Sequence, residues 1–135
     1  MILVGIDSIE IERIKKAMTN TCFLQRFFGK DEFLQLEKRN FKPESVAANF
    51  CAKEAFLKTF GKGLGDVELS KIQLLREASG KPYLKVNNVD FLEKCSKINF
   101  SVSVTHTREV ATVIVLAEVL EIGWINRYKY GQKEL

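Results

Sequence analysis

Cysteine is scarce in this 135-residue chain. The three that occur, Cys22, Cys51 and Cys95, are odd in number, far apart and without any Cys-x-x-Cys spacing. That argues against a disulfide framework or a cysteine zinc site, and for reduced buried thiols in a cytoplasmic protein. Histidine occurs once, as His106, and nothing near it in sequence resembles a serine or cysteine triad. Long apolar runs are missing as well. The longest, Val110 to Leu120, is interrupted by Thr112 and Glu118 and is too short to span a bilayer as a helix. Met1 to Ile6 lacks the basic segment of a signal peptide, so a soluble, unexported protein is expected. No P-loop follows the glycines at 61, 63 and 65, and there is no internal repeat, linker or low-complexity segment. The excess of charge is small: 21 Lys plus Arg against 17 Asp plus Glu gives +4, which favours anionic partners without choosing among them.

What is present fits one globular domain: 46% of residues are hydrophobic and 28% charged. Residues 2 to 6 read as a short strand, after which Ser8 is placed to cap a helix with Ile11, Ile14 and Met18 on one face. Arg13 and Lys16 fall on the opposite, solvent-facing side of that helix. Aromatics at Phe23, Phe27 and Phe28 precede a second helical pattern, and Phe41-Lys42-Pro43 marks a break. A longer helix then runs from the Pro43/Ser45 region to Phe60, where glycines stop it. From Val67 the pattern turns to strands: Val67 to Leu75 and Tyr83 to Val86 as a hairpin about Ser79-Gly80-Lys81-Pro82, a short helix at 90–95, then Phe100 to Thr105 and the run from Val110 as a central antiparallel hairpin. The fold class is therefore α+β, an antiparallel sheet packed with helices.

The chemistry centres on two carboxylates. Asp7 follows the first strand, and Glu54 lies in Lys53-Glu54-Ala55-Phe56-Leu57-Lys58, with Lys58 one turn on. Hard oxygen ligands beside basic side chains suit a magnesium-dependent site for a phosphorylated substrate. Each half also has a plainer reading: Asp7 as a carboxylate at a helix N-terminus, and Glu54 as the surface partner of Lys58. The apolar surroundings of Glu54 favour a cation or hydrogen bonds. Gly61-Lys62-Gly63-Leu64-Gly65 reads either as a helix stop or as backbone free to approach a phosphate. His106 reads as a turn histidine or a ligand contact. Arg13, Lys16 and Arg26 form a small basic patch.

These segments resemble the holo-acyl-carrier-protein synthases, the bacterial trimeric type of 4'-phosphopantetheinyl transferase. The resemblance covers Met1 to about Glu118: Gly5-Ile6-Asp7 with Ile11-Glu12-Arg13-Ile14, then Phe50 to Lys58, Gly61 to Gly65, Gly80-Lys81-Pro82, and Ser101 to Thr107. It implies a single domain over 1–120, with 121–135 as an extension of unknown role. It also implies magnesium-dependent transfer of 4'-phosphopantetheine from coenzyme A to a serine of apo acyl-carrier protein, in service of fatty acid biosynthesis. By the same resemblance, Asp7 and Glu54 hold the metal and act with Lys58 in catalysis. Lys58, Lys62, Gly63, Pro82 and His106 contact coenzyme A, and Arg13, Lys16 and Arg26 dock the carrier protein. The assembly implied is a homotrimer, joined through the sheet, with active sites at subunit interfaces.

One departure stands out. The family usually carries a basic residue just before the aromatic of its Lys-Glu motif, and this chain has Asn49 there, leaving a phosphate or interface contact to be lost or supplied by Lys42 or Lys62. Two competing readings are a small basic nucleic-acid-binding module, for which pI near 9.0 and ten Phe speak, and a silent homologue that only binds coenzyme A.

Overall fold

The computed structural model describes residues 1–61, 67–87 and 98–120. Strand β1 (Ile2–Glu10) leads into α1 (Ile11–Met18), α2 (Phe23–Phe27), α3 (Lys30–Lys38) and the long α4 (Pro43–Phe60). A 3-10 turn (Leu69–Lys71) precedes β2 (Ile72–Arg76), followed by β3 (Pro82–Val86), β4 (Ile98–His106) and β5 (Val110–Val119). All pairing is antiparallel, in a three-stranded sheet ordered β1-β5-β4 and a separate β2-β3 ribbon. This is the expected α+β architecture, and the expected β4-β5 hairpin forms, but with β5 at the centre of the sheet and β4 at its edge. The expected helix at 90–95, Cys95, and the extension 121–135 lie outside the described residues.

The first strand is longer than its sequence suggests. Asp7-Ser8-Ile9-Glu10 reads locally as a helix start, but pairing with β5 as far as Glu10↔Val110 keeps it extended. The Ser8 hydroxyl bonds Thr112 Oγ1 across the strands at 2.8 Å instead of capping a helix. Asp7 is thus a mid-strand residue, and the helix-dipole reading of its carboxylate falls. The predicted strand from Val67 is shorter in turn, since residues 69–71 form the 3-10 turn.

Helix α4 is the spine of the core. Val46, Ala47, Ala52, Ala55, Phe56 and Phe60 are completely buried. Rings of Phe56 and Phe60 lie 5.2 Å apart, and Phe100 of β4 stands 5.4 Å from Phe56. Each buried phenylalanine is worth about 2 kcal/mol over exposure. Gly61, with φ +60°, ends the helix in the left-handed region that glycine adopts freely. The helix packs mainly on β1 and β5, whose inward residues include Gly5, Ile9, Ala111, Val113, Val115 and Ala117.

A buried ion pair ties the helical layer to the ribbon. Lys53 Nζ reaches Glu32 Oε1 of α3 at 2.6 Å, with both side chains wholly buried. It also donates to the carbonyls of Leu69 and Ile72 and sits 5.1 Å above the Phe28 ring. Glu32 accepts from the N–H groups of Gly29 and Leu74 and from Asn49 Nδ2. A pair so fully coordinated offsets the cost of removing both charges from water. Cys51 is buried and Cys22 exposed, so the expectation of buried thiols holds for Cys51 and fails for Cys22.

Candidate active site

Gly5 lets β1 and α4 touch. A Cβ built there would lie 2.1 Å from Ala55 O and 2.6 Å from Thr59 N, a separation only glycine permits. Two residues along the same face of β1, Asp7 points towards the flank of α4 that carries Cys51, Glu54 and Lys58. Lys58 Nζ donates to Asp7 Oδ1 at 2.7 Å, so the lysine expected to pair with Glu54 along the helix pairs across to the strand. Cys51 Sγ lies 3.1 Å from Asp7 O and 3.7 Å from Asp7 Oδ2, and burial, then the Asp7 charge, push its thiol up to about 12. That thiol stays protonated.

Glu54 is half-buried. Burial and the Asp7 carboxylate raise its pKa above the ordinary glutamate value, while Lys58 pulls the other way. The carboxylate of Asp7 in turn holds Lys58 above the usual lysine range. Two carboxylates therefore share one lysine, whose side-chain hydrogen bond goes to Asp7. This excess of negative charge, with oxygen donors partly in the open, fits a magnesium ion completed by substrate phosphates and water. Among the described residues no group of three or more His, Cys, Asp or Glu is placed to hold a metal. A two-carboxylate magnesium site needs no such group.

Pro82 and His106 belong to a second cluster. Together with Arg39, Ser45, Arg76 and Val104 they border a cavity of about 230 Å³. An adjoining hollow of about 450 Å³ is bordered by Lys38, Arg39, Lys42, Glu44 and His106. His106 is exposed, with Nδ1 3.0 Å from the Thr107 carbonyl oxygen. The strand register measures the gap between clusters. Val104 faces Val113, which faces Asp7, so two strand spacings, about 10 Å, separate them at sheet level. Helix α4 stands between, with Glu54 and Lys58 on one flank and Ser45 on the other.

Arg13 and Lys16 are exposed on α1, as expected, with Ile11 and Ile14 buried beneath them. Arg26 is exposed on α2, its Cζ 5.2 Å from the centre of the Phe27 ring. Lys62 and Gly63 lie outside the described residues. Sequence reasoning missed Arg39 and Arg76, which lie in unremarkable local patterns; the one clue was Asn49, whose side chain touches Arg76.

Comparison with known proteins favours the transferase family over a nucleic-acid-binding module. The family model described as the 4'-phosphopantetheinyl transferase superfamily matches residues 3–115. The chain belongs to this superfamily. A holo-acyl-carrier-protein synthase of Treponema pallidum (strain Nichols) is 39% identical over 117 residues, spanning 85% of this chain and 94% of the relative. One from Clostridium botulinum (strain Eklund 17B / Type B) is 37% identical over 121 residues, 87% of this chain and 97% of the relative. Among solved structures, the holo-acyl-carrier-protein synthase of Bacillus anthracis in complex with CoA (3',5'-ADP) is 30% identical, with a TM-score of 0.68 over 86% of this chain and 95% of that one. That of Neisseria meningitidis gives a TM-score of 0.78 at 27% identity, over 87% and 99% of the two chains. The expected transferase family and its α+β fold are both borne out.

Proposed function

We infer that this protein transfers 4'-phosphopantetheine from coenzyme A to a serine hydroxyl of an apo acyl-carrier protein, releasing adenosine 3',5'-bisphosphate. The observation that carries this reading is the convergence of Asp7, Glu54 and Lys58 on one flank of α4, in a chain whose family is that of the phosphopantetheinyl transferases and whose relatives are holo-acyl-carrier-protein synthases. The serine oxygen attacks the phosphorus that bears the pantetheine arm. The bond from that phosphorus to the bridging oxygen breaks, and its electron pair leaves on the adenosine bisphosphate. Lys58 presents a fixed positive charge to the pyrophosphate. Glu54 is placed to take the serine proton directly or through a water. Asp7 and Glu54 would hold a magnesium ion, which when bound would supply positive charge to the phosphate oxygens.

Pro82 and His106, together with Lys62 and Gly63, serve the coenzyme A pocket in this reading. Arg13, Lys16 and Arg26 offer the acidic carrier protein an exposed basic surface. The split of the site by α4 supports active sites shared between subunits, one copy supplying Asp7, Glu54 and Lys58 and the next its arginine-lined cavity. An apolar strip on the outer face of the sheet supports the same assembly: Ile2, Val4 and Ile6 are 64%, 53% and 56% exposed, beside half-buried Ile114 and Leu116. We read the assembly as a homotrimer serving fatty acid biosynthesis. Free Cys22 and Cys51 agree with a reducing cytoplasm, and no helix among the described residues is long and apolar enough to cross a membrane.

The test is the intact mass of an apo acyl-carrier protein incubated with this protein, coenzyme A and magnesium. A gain of one phosphopantetheine, lost on chelation and in Asp7→Ala and Glu54→Ala, is expected. Full activity in both variants overturns the assignment of these carboxylates, and no gain with any of several carriers overturns the transferase reading itself.

A further inference from the structure

Arg76 is held from three directions. Gln35 clamps its backbone: the Arg76 N–H donates to Gln35 Oε1 at 2.9 Å, and Gln35 Nε2 donates to the Arg76 carbonyl at 3.1 Å. At the far end of the side chain, Nη1 donates to Asn49 Oδ1 at 3.1 Å. Asn49 is itself fully buried and fixed, its Nδ2 donating to Glu32 Oε2 and to the Leu74 carbonyl, each at 3.1 Å. The amide cannot turn without breaking both bonds, so its oxygen must face the guanidinium.

What Arg76 lacks is an anion. Among the described residues no carboxylate forms an ion pair with Arg76 or with Arg39, although Glu44 borders the same cavity. Burial and the neighbouring charge of Arg39 both destabilise the Arg76 cation, and distant Glu32 compensates only in part. A partly buried guanidinium, aimed by a rigid amide beside a second arginine, is a site prepared for a doubly charged group such as a phosphate monoester. The cavity walls differ in kind: Pro82, Gly80 and Val104 are apolar or bare backbone, suited to the flat face of a nucleobase.

We propose that Arg76, aimed by Asn49 and assisted by Arg39, binds the 3'-phosphate of coenzyme A, so that the cation expected at position 49 is carried instead by β2. The proposal rests on the reading of coenzyme A as donor and names the residues that distinguish it from its 3'-dephospho form. Arg76 is the specificity residue and Asn49 the positioning residue. The substitution of a basic residue by Asn49 is then an exchange of places, since the short amide vacates the space the guanidinium of Arg76 enters.

Calorimetry on the whole protein measures binding of adenosine 3',5'-bisphosphate and of 5'-AMP, which differ only in the 3'-phosphate. A charge-assisted contact of this kind corresponds to roughly a 10- to 100-fold preference for the bisphosphate. Arg76→Met is expected to reduce that preference at least 10-fold and to leave 5'-AMP affinity within about 2-fold. Asn49→Ala, which keeps the guanidinium but frees it, should weaken the preference less. The exchange variant Asn49→Arg/Arg76→Asn should recover most of it. Wild-type preference in Arg76→Met, or an equal loss for both nucleotides, overturns the proposal. The calorimetry needs no carrier protein, so failure of phosphopantetheine transfer with the nucleotide preference intact would count against the transferase reading alone.

Discussion

Gly5→Ala tests whether contact between β1 and α4 is what brings the carboxylates together. The new Cβ would meet Ala55 O at 2.1 Å, Thr59 Oγ1 at 2.4 Å and Thr59 N at 2.6 Å. Two of the three obstacles are backbone atoms of a helix that cannot swing aside as a side chain does. To restore an ordinary contact of 3.4 Å, helix and strand must part by roughly 1.3 Å. Overpacking of a well-filled core costs about 1–3 kcal/mol, and a backbone clash belongs at the upper end. Asp7 lies only two residues away, so the same displacement draws it from Lys58 and Glu54. A misplacement of about 1 Å in a reacting constellation lowers rates by about 100-fold. Urea denaturation gives the first quantity, and the intact-mass transfer assay, run where the variant is fully folded, gives the second. Adding Thr59→Ala removes one obstacle of three and should recover little. Wild-type stability and kcat/KM in Gly5→Ala, or full rescue by Thr59→Ala, would refute the argument.

Glu54 ties stability to pH. Its folded-state pKa is raised above 4.5, so in the window just above 4.5 the native protein holds a proton the unfolded chain has released, and stability falls as pH rises through that window. Glu54→Gln should abolish transfer yet flatten that fall and leave the metal-free protein more stable than wild type at pH 7; thermal melts across pH check this, and a less stable variant would refute it. Lys53→Met strands the Glu32 carboxylate in the core and should cost about 3–5 kcal/mol in urea denaturation, a loss below about 1 kcal/mol contradicting the buried-pair account. Arg13→Glu should raise KM for the carrier protein about 10-fold and leave KM for coenzyme A nearly unchanged; steady-state kinetics with each substrate varied decide, and an effect on coenzyme A instead would move that patch to the cofactor pocket. Ile6→Glu puts a charge into the apolar strip of β1 and should lower the sedimenting mass from that of the proposed trimer to that of a monomer; a mass unchanged from wild type would exclude this face as the interface.

Local pattern was a good guide wherever one residue's neighbours in sequence are also its neighbours in space. The boundaries of α4 followed from Pro43 at its first turn and Gly61 at its end, and the β4-β5 hairpin from its alternation. It misled where distant pairing outweighed local preference: Ser8 and Asp7 look like a helix start, yet pairing along the length of β5 holds them in a strand. Lys53 and Glu54 show the same limit at single-residue scale. They are adjacent in one motif, but the helix turns them about 100° apart, sending the lysine to Glu32 in the core and the carboxylate towards Asp7.

The sequence by itself determined the family, the α+β class and the candidate groups for the site, because these reside in residue types and spacings that no folding step alters. Tertiary structure decided their alliances: Lys58 with Asp7 rather than Glu54, and Asn49 with Arg76 across 27 residues of chain. Such choices depend on which side chains the packing of α4 against the sheet and the ribbon brings within hydrogen-bond reach, and that distance is set by the whole core rather than by any local segment.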